Sequence, residues 1–322
     1  MPPAPSAYVG RLAPAPTGAL HLGNARTFLV AWLRARQAGG RLLLRLEDLD
    51  HPKVKPRAAA QVYEDLRWLG LDWDDGADQT PELVQSNRRA RYRAILERLS
   101  GGGRVYPCGC SRRELESIQS APQDGVDAPE YRYPNRCRPP APPPPEPRCL
   151  RFRLDVRPDL TRQAFVDVFH GARDGDLERW SGDFVVARDW DHAAYQLAVV
   201  VDDHDGGVSE VVRGDDLLSS TERQLALYRA LGWTPPAFCH VPLVVGPDGR
   251  RLAKRHGDTR LSAFRGIGVE PERIVAWLAE TLGCAVRGRL ARPGDLLASF
   301  NLASVPRDRI AFAGPQLFAA PP

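Results

Sequence analysis

The stretch "YVGRLAPAPTGALHLGNART", residues 8–27, decides how the chain is read. Residues 6–12 read as a short strand, Pro14, Pro16 and Gly18 make a tight turn, and Phe28, Leu29, Trp32 and Leu33 give the next helix its apolar face. A strand that turns sharply into a helix leaves unpaired backbone N–H groups at the helix start, where the helix dipole also favours an anion. His21 to Asn24 make that first helical turn, and the imidazole of His21 adds a hydrogen-bond donor for a phosphate oxygen. A capping or packed histidine explains the same residue, so the rest of the chain has to decide.

Working outward, "RLLLRLEDLD" (41–50) is a nearly continuous apolar strand that ends in carboxylates, as suits a parallel strand buried on both faces. Two further helical stretches follow at 57–71 and 86–103, and the β-α-β-α alternation predicts an α/β doubly wound parallel sheet of Rossmann type. The pattern breaks over residues 104–190, which carry a cysteine cluster and the proline-rich "RPPAPPPPEPR" (138–148), and it resumes with "HAAYQLAVVVDDHDGG" and "VSEVVRG". The expected organisation is therefore 1–103 and 191–262 as two halves of one catalytic domain, 104–190 as an insertion, and 263–322 as a small C-terminal helical region.

The 322-residue chain is 43% hydrophobic and 26% charged, ordinary for a globular protein, and no apolar run approaches the length of a membrane span. With no secretory pattern at the N-terminus, a cytoplasmic protein with no membrane partner is expected. A net charge of only +4 confines any polyanion-binding surface to local patches. Only three of the 44 basic residues are lysines, Lys53, Lys55 and Lys254. Arginine and lysine exchange freely on a solvated surface, so a lysine kept in such a chain marks a place where a compact ammonium is wanted. Lys254 lies in the basic loop "RRLAKRHG" (250–257), and an ammonium there suits charge developing on a phosphorus centre. Of six cysteines, the close pair Cys108 and Cys110 suggests a metal, whereas Cys149, Cys239 and Cys284 read as isolated buried thiols.

"HLGN" (21–24) with "RLAKR" (251–255) resembles the paired HIGH and KMSKS signatures of class I aminoacyl-tRNA synthetases. "LRLEDLD", "QSNRRARY" and "YQLAVVVDDHDGGVSEVVRGDDLLSSTERQ", in this order, are similar to the glutamyl branch of that family. Asn24 departs from the second histidine of the signature, and Arg251 from the first lysine; an amide still donates to phosphate but carries no charge. "CGC" followed by "YPNRC" resembles the zinc site of the short glutamyl-Q tRNA(Asp) branch, and the 65 residues after Gly257 (322 less 257) fall short of an anticodon-binding domain.

The resemblance implies a structural Zn²⁺, one per chain, on Cys108, Cys110, Tyr133 and Cys137. It implies glutamate binding by residues Arg11, Leu12, Ala13, Pro14 and Ala15 with Glu47, Tyr195 and Arg213, and ATP binding by His21, Gly23, Asn24 and Lys254. The chemistry agrees, since glutamate needs two cationic partners for its carboxylates and an anionic one for its ammonium. The implied reaction, with His21 and Lys254 as catalytic residues, forms glutamyl-adenylate from glutamate and Mg²⁺-ATP without tRNA. Glutamate then passes to the queuosine cyclopentene in the anticodon loop of tRNA(Asp), the enzyme acting as a monomer. The alternatives are charging of the 3′ end of tRNA(Glu), or a non-catalytic tRNA- or nucleotide-binding relative.

Overall fold

The computed structural model describes residues 8–16, 19–49, 57–111, 132–250, 252, 258–286 and 290–318. Lys254, the lysine-loop residues around it and the neighbouring Arg251 lie outside them.

Strand β1 (Val9–Leu12) leads into helix α1 (Leu22–Gln37), which returns to β2 (Arg41–Leu44); α2 (Ala58–Trp68) then leads to the short β3 (Asp75–Gly76). These three strands form a parallel sheet in the order β1-β2-β3, with Arg11 opposite Leu43. Helix α3 (Arg89–Gly101) follows, and after it β4 (Val105–Cys108), β5 (Cys149–Phe152), the hairpin β6 (Arg162–Asp167) and β7 (Gly171–Asp176), then β8 (Phe184–Asp189) and β9 (His192–Ala193). Four of these make an antiparallel sheet in the order β4-β5-β8-β9. Helix α4 (Tyr195–Asp205), β10 (Glu210–Gly214), α5 (Leu218–Leu231) and β11 (Ala237–Val241) resume the α/β alternation.

Strands β10 and β11 are parallel, and β1 lies against β10 through the Ser209 N–H, which donates to the Val9 carbonyl at 2.9 Å. The strands thus run β3-β2-β1-β10-β11, the doubly wound order in which the chain reverses direction of travel at β1. The β6–β7 hairpin extends this sheet past β11, where Asp167 pairs with Phe238.

Alternation along the strands explains why both faces are covered. Leu42, Leu44, Leu12 and Val212 enter one core with α1, whereas Leu43, Val9 and Val211 enter another with α3, α4 and α5. Helix α6 (Pro271–Thr281) closes the first core, fastened by the fully buried Arg26, which donates to the Pro242 carbonyl at 2.6 Å and to Thr281. A parallel pair, β12 (Val244–Val245) with β13 (Ile310–Ala311), brings the C-terminal region, helical only in part, back onto the catalytic sheet. Among the described residues no helix is long and apolar enough to cross a membrane.

Candidate active site

Open α/β sheets bind ligands beyond the carboxyl ends of their strands, at the point where the strand order reverses. Here that point is a cleft of about 580 Å³ above β1 and β10. Arg11 and Arg213 are the next-to-last residues of β1 and β10, Glu47 follows β2 and Tyr195 opens α4, and all four line the cleft with Ala13, Pro14 and Ala15. The Glu47 N–H donates to the Pro14 carbonyl at 3.0 Å, which ties the turn after β1 to the end of β2. Leu12 is the exception among the expected glutamate residues: its side chain is fully buried in the core. Strand alternation could have told this, because Arg11 facing the cleft sends Leu12 to the other face.

His21, Gly23 and Asn24 line the same cleft. His21 is the N-cap of α1, and its Nδ1 accepts the N–H of Gly23 at 3.1 Å and of Asn24 at 3.3 Å. Asn24 returns the bond, its Oδ1 accepting the His21 N–H at 3.2 Å, while the Leu22 N–H donates to the Thr259 carbonyl. The N–H groups expected to stay free for an anion at Leu22, Gly23 and Asn24 are therefore all used. The capping reading and the donor reading of His21 prove compatible. An Nδ1 that accepts two amides carries no proton, and burial lowers the pKa of this ring, so the neutral imidazole holds its proton on Nε2. Leu252 also stands in the cleft wall, and Arg260, three residues past the lysine loop, forms a backbone bridge with His21.

The two arginines are held differently. The Arg11 Nε lies 3.4 Å from Asp203 and its Nη1 donates to the Val212 carbonyl at 3.0 Å. Asp203 also takes the Arg45 Nη1 at 2.6 Å; burial pushes its carboxyl up, but Arg45 and Arg11 outweigh burial and hold it below its ordinary value. The Arg45 Nη2 donates to Glu47 at 3.0 Å, and burial raises the Glu47 pKa against the pull of Arg45 and Arg11. Arg213 donates from Nε to His240, from Nη1 to Gln224 and from Nη2 to Thr221, each at 2.9 Å. Arg45, Asp203 and His240 escaped the sequence reading because Arg45 and Asp203 are 158 residues apart and His240 is 27 residues from Arg213.

The cysteine cluster is a separate small core of Tyr106, Cys108 and Tyr133 with Cys110, Cys137 and Cys149. The sulfurs of Cys108, Cys110 and Cys137 lie within 4.8 Å of one another, with Cys110 and Cys137 at 3.6 Å. Tetrahedral zinc with Zn–S bonds of about 2.3 Å sets its sulfurs roughly 3.8 Å apart, so this donor set fits a metal. The Tyr133 hydroxyl lies 3.3 Å from the Cys108 sulfur and accepts the Cys137 N–H at 2.9 Å. Cys149, expected to be isolated, is the cross-strand partner of Cys108. Its hydrogen bond to Cys108, with help from Tyr133 and Arg151, brings the Cys108 thiol down to about 4 despite burial.

A nucleotide-sized cleft at the strand-order reversal, walled by two buried arginines, a carboxylate and a capping histidine, is the ligand-site arrangement of a doubly wound α/β protein. A family model described as tRNA synthetases class I (E and Q), catalytic domain, matches residues 8–290, and the chain belongs to this family. It is 51% identical over 293 residues, 86% of either chain, to a protein of Rhodopirellula baltica named glutamyl-Q tRNA(Asp) synthetase. Identity to the protein of that name from Symbiobacterium thermophilum is 48% over 310 residues, 94% of either chain. A glutamate tRNA ligase of Elizabethkingia meningosepticum, solved in complex with its amino acid, superposes with a TM-score of 0.80 at 26% identity, covering 97% of this chain and 68% of that one.

Proposed function

We propose that the chain activates L-glutamate with ATP, without tRNA, and transfers it to the queuosine cyclopentene at the wobble position of tRNA(Asp). The observation that carries this is the meeting, in one cleft, of a dicarboxylate-binding set (Arg11, Arg213, Glu47, Tyr195) with the His21–Asn24 cap. The names borne by the two bacterial relatives support the choice of acceptor.

In the first step an oxygen of the glutamate α-carboxylate attacks the α-phosphorus of Mg²⁺-ATP, and pyrophosphate leaves. Arg11 and Arg213 orient the carboxylates, Glu47 takes the ammonium and Tyr195 completes the pocket. The Nε2–H of His21 donates to a phosphate oxygen, and Lys254 stabilises the charge that develops there. Catalysis is positioning and charge stabilisation, with no covalent enzyme intermediate. In the second step a cyclopentene hydroxyl attacks the acyl carbon of glutamyl-adenylate and AMP leaves.

Zinc on Cys108, Cys110, Cys137 and Tyr133 is a structural cross-link between β4 and the segment around Tyr133 in this reading. The enzyme works in the cytoplasm as a monomer, on the anticodon loop of its tRNA. Radiolabelled glutamate with tRNA(Asp), with and without queuosine, and with tRNA(Glu) tests the proposal. Label on queuosine-containing tRNA(Asp) alone is expected, and charging of unmodified tRNA(Glu) would overturn it.

A further inference from the structure

Arg213 differs from the other cations of the cleft in what holds it. Arg11 and Arg45 share Asp203, whereas among the described residues no carboxylate lies within ion-pair distance of Arg213. Its guanidinium is nonetheless buried, and three nitrogens are pinned by neutral acceptors: the His240 Nε2, the Gln224 amide oxygen and the Thr221 hydroxyl. A buried cation without a counter-charge is costly, and a carboxylate arriving from outside relieves that cost.

His240 makes this arrangement possible. Its Nδ1 lies 2.6 Å from Asp167, and both side chains are fully buried. A carboxylate only accepts, so the proton sits on Nδ1 and the Nε2 lone pair faces Arg213. Asp167 therefore acts on Arg213 through a neutral ring. The carboxylate stays on the hairpin, where it also accepts the N–H groups of Phe169 and His170.

We propose that His240, oriented by Asp167, is a positioning and specificity-determining residue for substrate. It fixes the Arg213 guanidinium while leaving its charge uncompensated, so that a carboxylate of the amino acid becomes the counter-ion. The proposal rests on the reading of glutamate as substrate. A carboxylate placed directly on Arg213 would quench the site, and an apolar residue would leave the guanidinium unpinned.

Amino-acid-dependent exchange of pyrophosphate into ATP, measured without tRNA, tests this. Wild-type exchange with glutamate is expected; exchange with glutamine but not glutamate would refute the glutamate reading and the inference with it. Given wild-type exchange, His240→Leu should raise the KM for glutamate about 10- to 100-fold, the range for losing a hydrogen bond to a charged group, with the KM for ATP within twofold. His240→Gln keeps a neutral acceptor and should recover most of the loss. Because His240→Leu empties a buried polar site, the near-isosteric Thr221→Val is the second variant, with a glutamate KM raised about 3- to 10-fold. Unchanged glutamate KM values in the folded variants, or equal rises for glutamate and ATP, would overturn the role given to His240.

Discussion

Replacing Gly23 by alanine separates the structural duty of His21 from the catalytic one proposed for it. A Cβ at residue 23 would stand 2.9 Å from Cε1 and 3.0 Å from Nδ1 of the His21 ring. Carbon contacts settle at about 3.5–4.0 Å, so the ring has to move by roughly half an ångström or more. That motion stretches cap bonds already 3.1 and 3.3 Å long and carries Nε2–H away from its place in the cleft. Losing an N-cap costs about 1 kcal/mol, but alanine in a helix is favoured over glycine by about as much, so stability should change by less than about 1 kcal/mol. Misplacing a donor to a reacting phosphate costs far more, on the order of 100-fold in rate. Pyrophosphate exchange beside thermal unfolding reads both quantities. The expected result is a near-wild-type melting temperature with exchange down about 100-fold, and no further loss when Gly23→Ala is added to His21→Ala. Additive loss in that double variant would refute the reasoning, because the methyl would then be acting on the nucleotide itself. Wild-type exchange by Gly23→Ala would refute it more simply.

Three further outcomes follow from the site. Glu47→Gln removes the anionic partner proposed for the substrate ammonium and weakens the 3.0 Å contact with Arg45, so the glutamate KM should rise about 10- to 100-fold, checked by the same exchange assay. Metal analysis should find one zinc per chain, lost in Cys110→Ser along with thermal stability, with adenylate formation at permissive temperature largely kept. Acid should destabilise the fold through His240, whose pKa burial lowers to about 4 against the pull of Asp167. The unfolded ring titrates near 6.5 and binds its proton more tightly than the folded one, so stability is complete above that pH and falls as pH drops from about 6.5 toward 4. Unfolding free energies from denaturant titrations at pH 7.5 and 5 should differ by about 2 kcal/mol from this residue, and by less in His240→Gln.

The fold was legible because its signals are local. Pro14 and Pro16 punctuate the chain after β1, and the alternation of Leu42, Leu43 and Leu44 between two cores is what a continuous apolar strand predicts. The cleft residues were legible only as blocks of a family pattern. Arg11, Glu47 and Arg213 are ordinary surface types until the strand order brings the ends of β1, β2 and β10 together. What stayed hidden is pairing at long separation. Cys149 follows Cys137 by a proline-rich stretch and looks solitary, yet the β4–β5 register sets it opposite Cys108. Asp167 lies in a stretch read as an insertion, and only its pairing with Phe238 beside His240 shows that it serves the catalytic sheet. The state of the α1 N-terminus was undecidable in principle, since a histidine that caps and one that donates to phosphate leave the same letters in the chain.

The hidden residues are the ones that set the charge of the pocket. Around the amino-acid end of the cleft, Arg11 and Arg45 share Asp203, and Arg45 also faces Glu47 and, at 3.7 Å, Asp202, which pairs more closely with Arg88 at 2.9 Å. Arg213 stands outside these pairs: among the described residues it is held by neutral groups and has no carboxylate within ion-pair distance. Glutamate, with two carboxylates and one ammonium, brings one net negative charge and a carboxylate for each of Arg11 and Arg213. Glutamine has the same length and nearly the same shape but is neutral overall and carries a single carboxylate, so it leaves one of the two cleft guanidiniums without a substrate carboxylate. Discrimination between the two amino acids thus follows from electrostatics rather than fit, and its size depends on how well water is kept from Arg213. The partners that expose this, His240 and Asp167, never touch the cleft, which is why the substrate preference could be read from Arg11 and Arg213 while its physical cause could not.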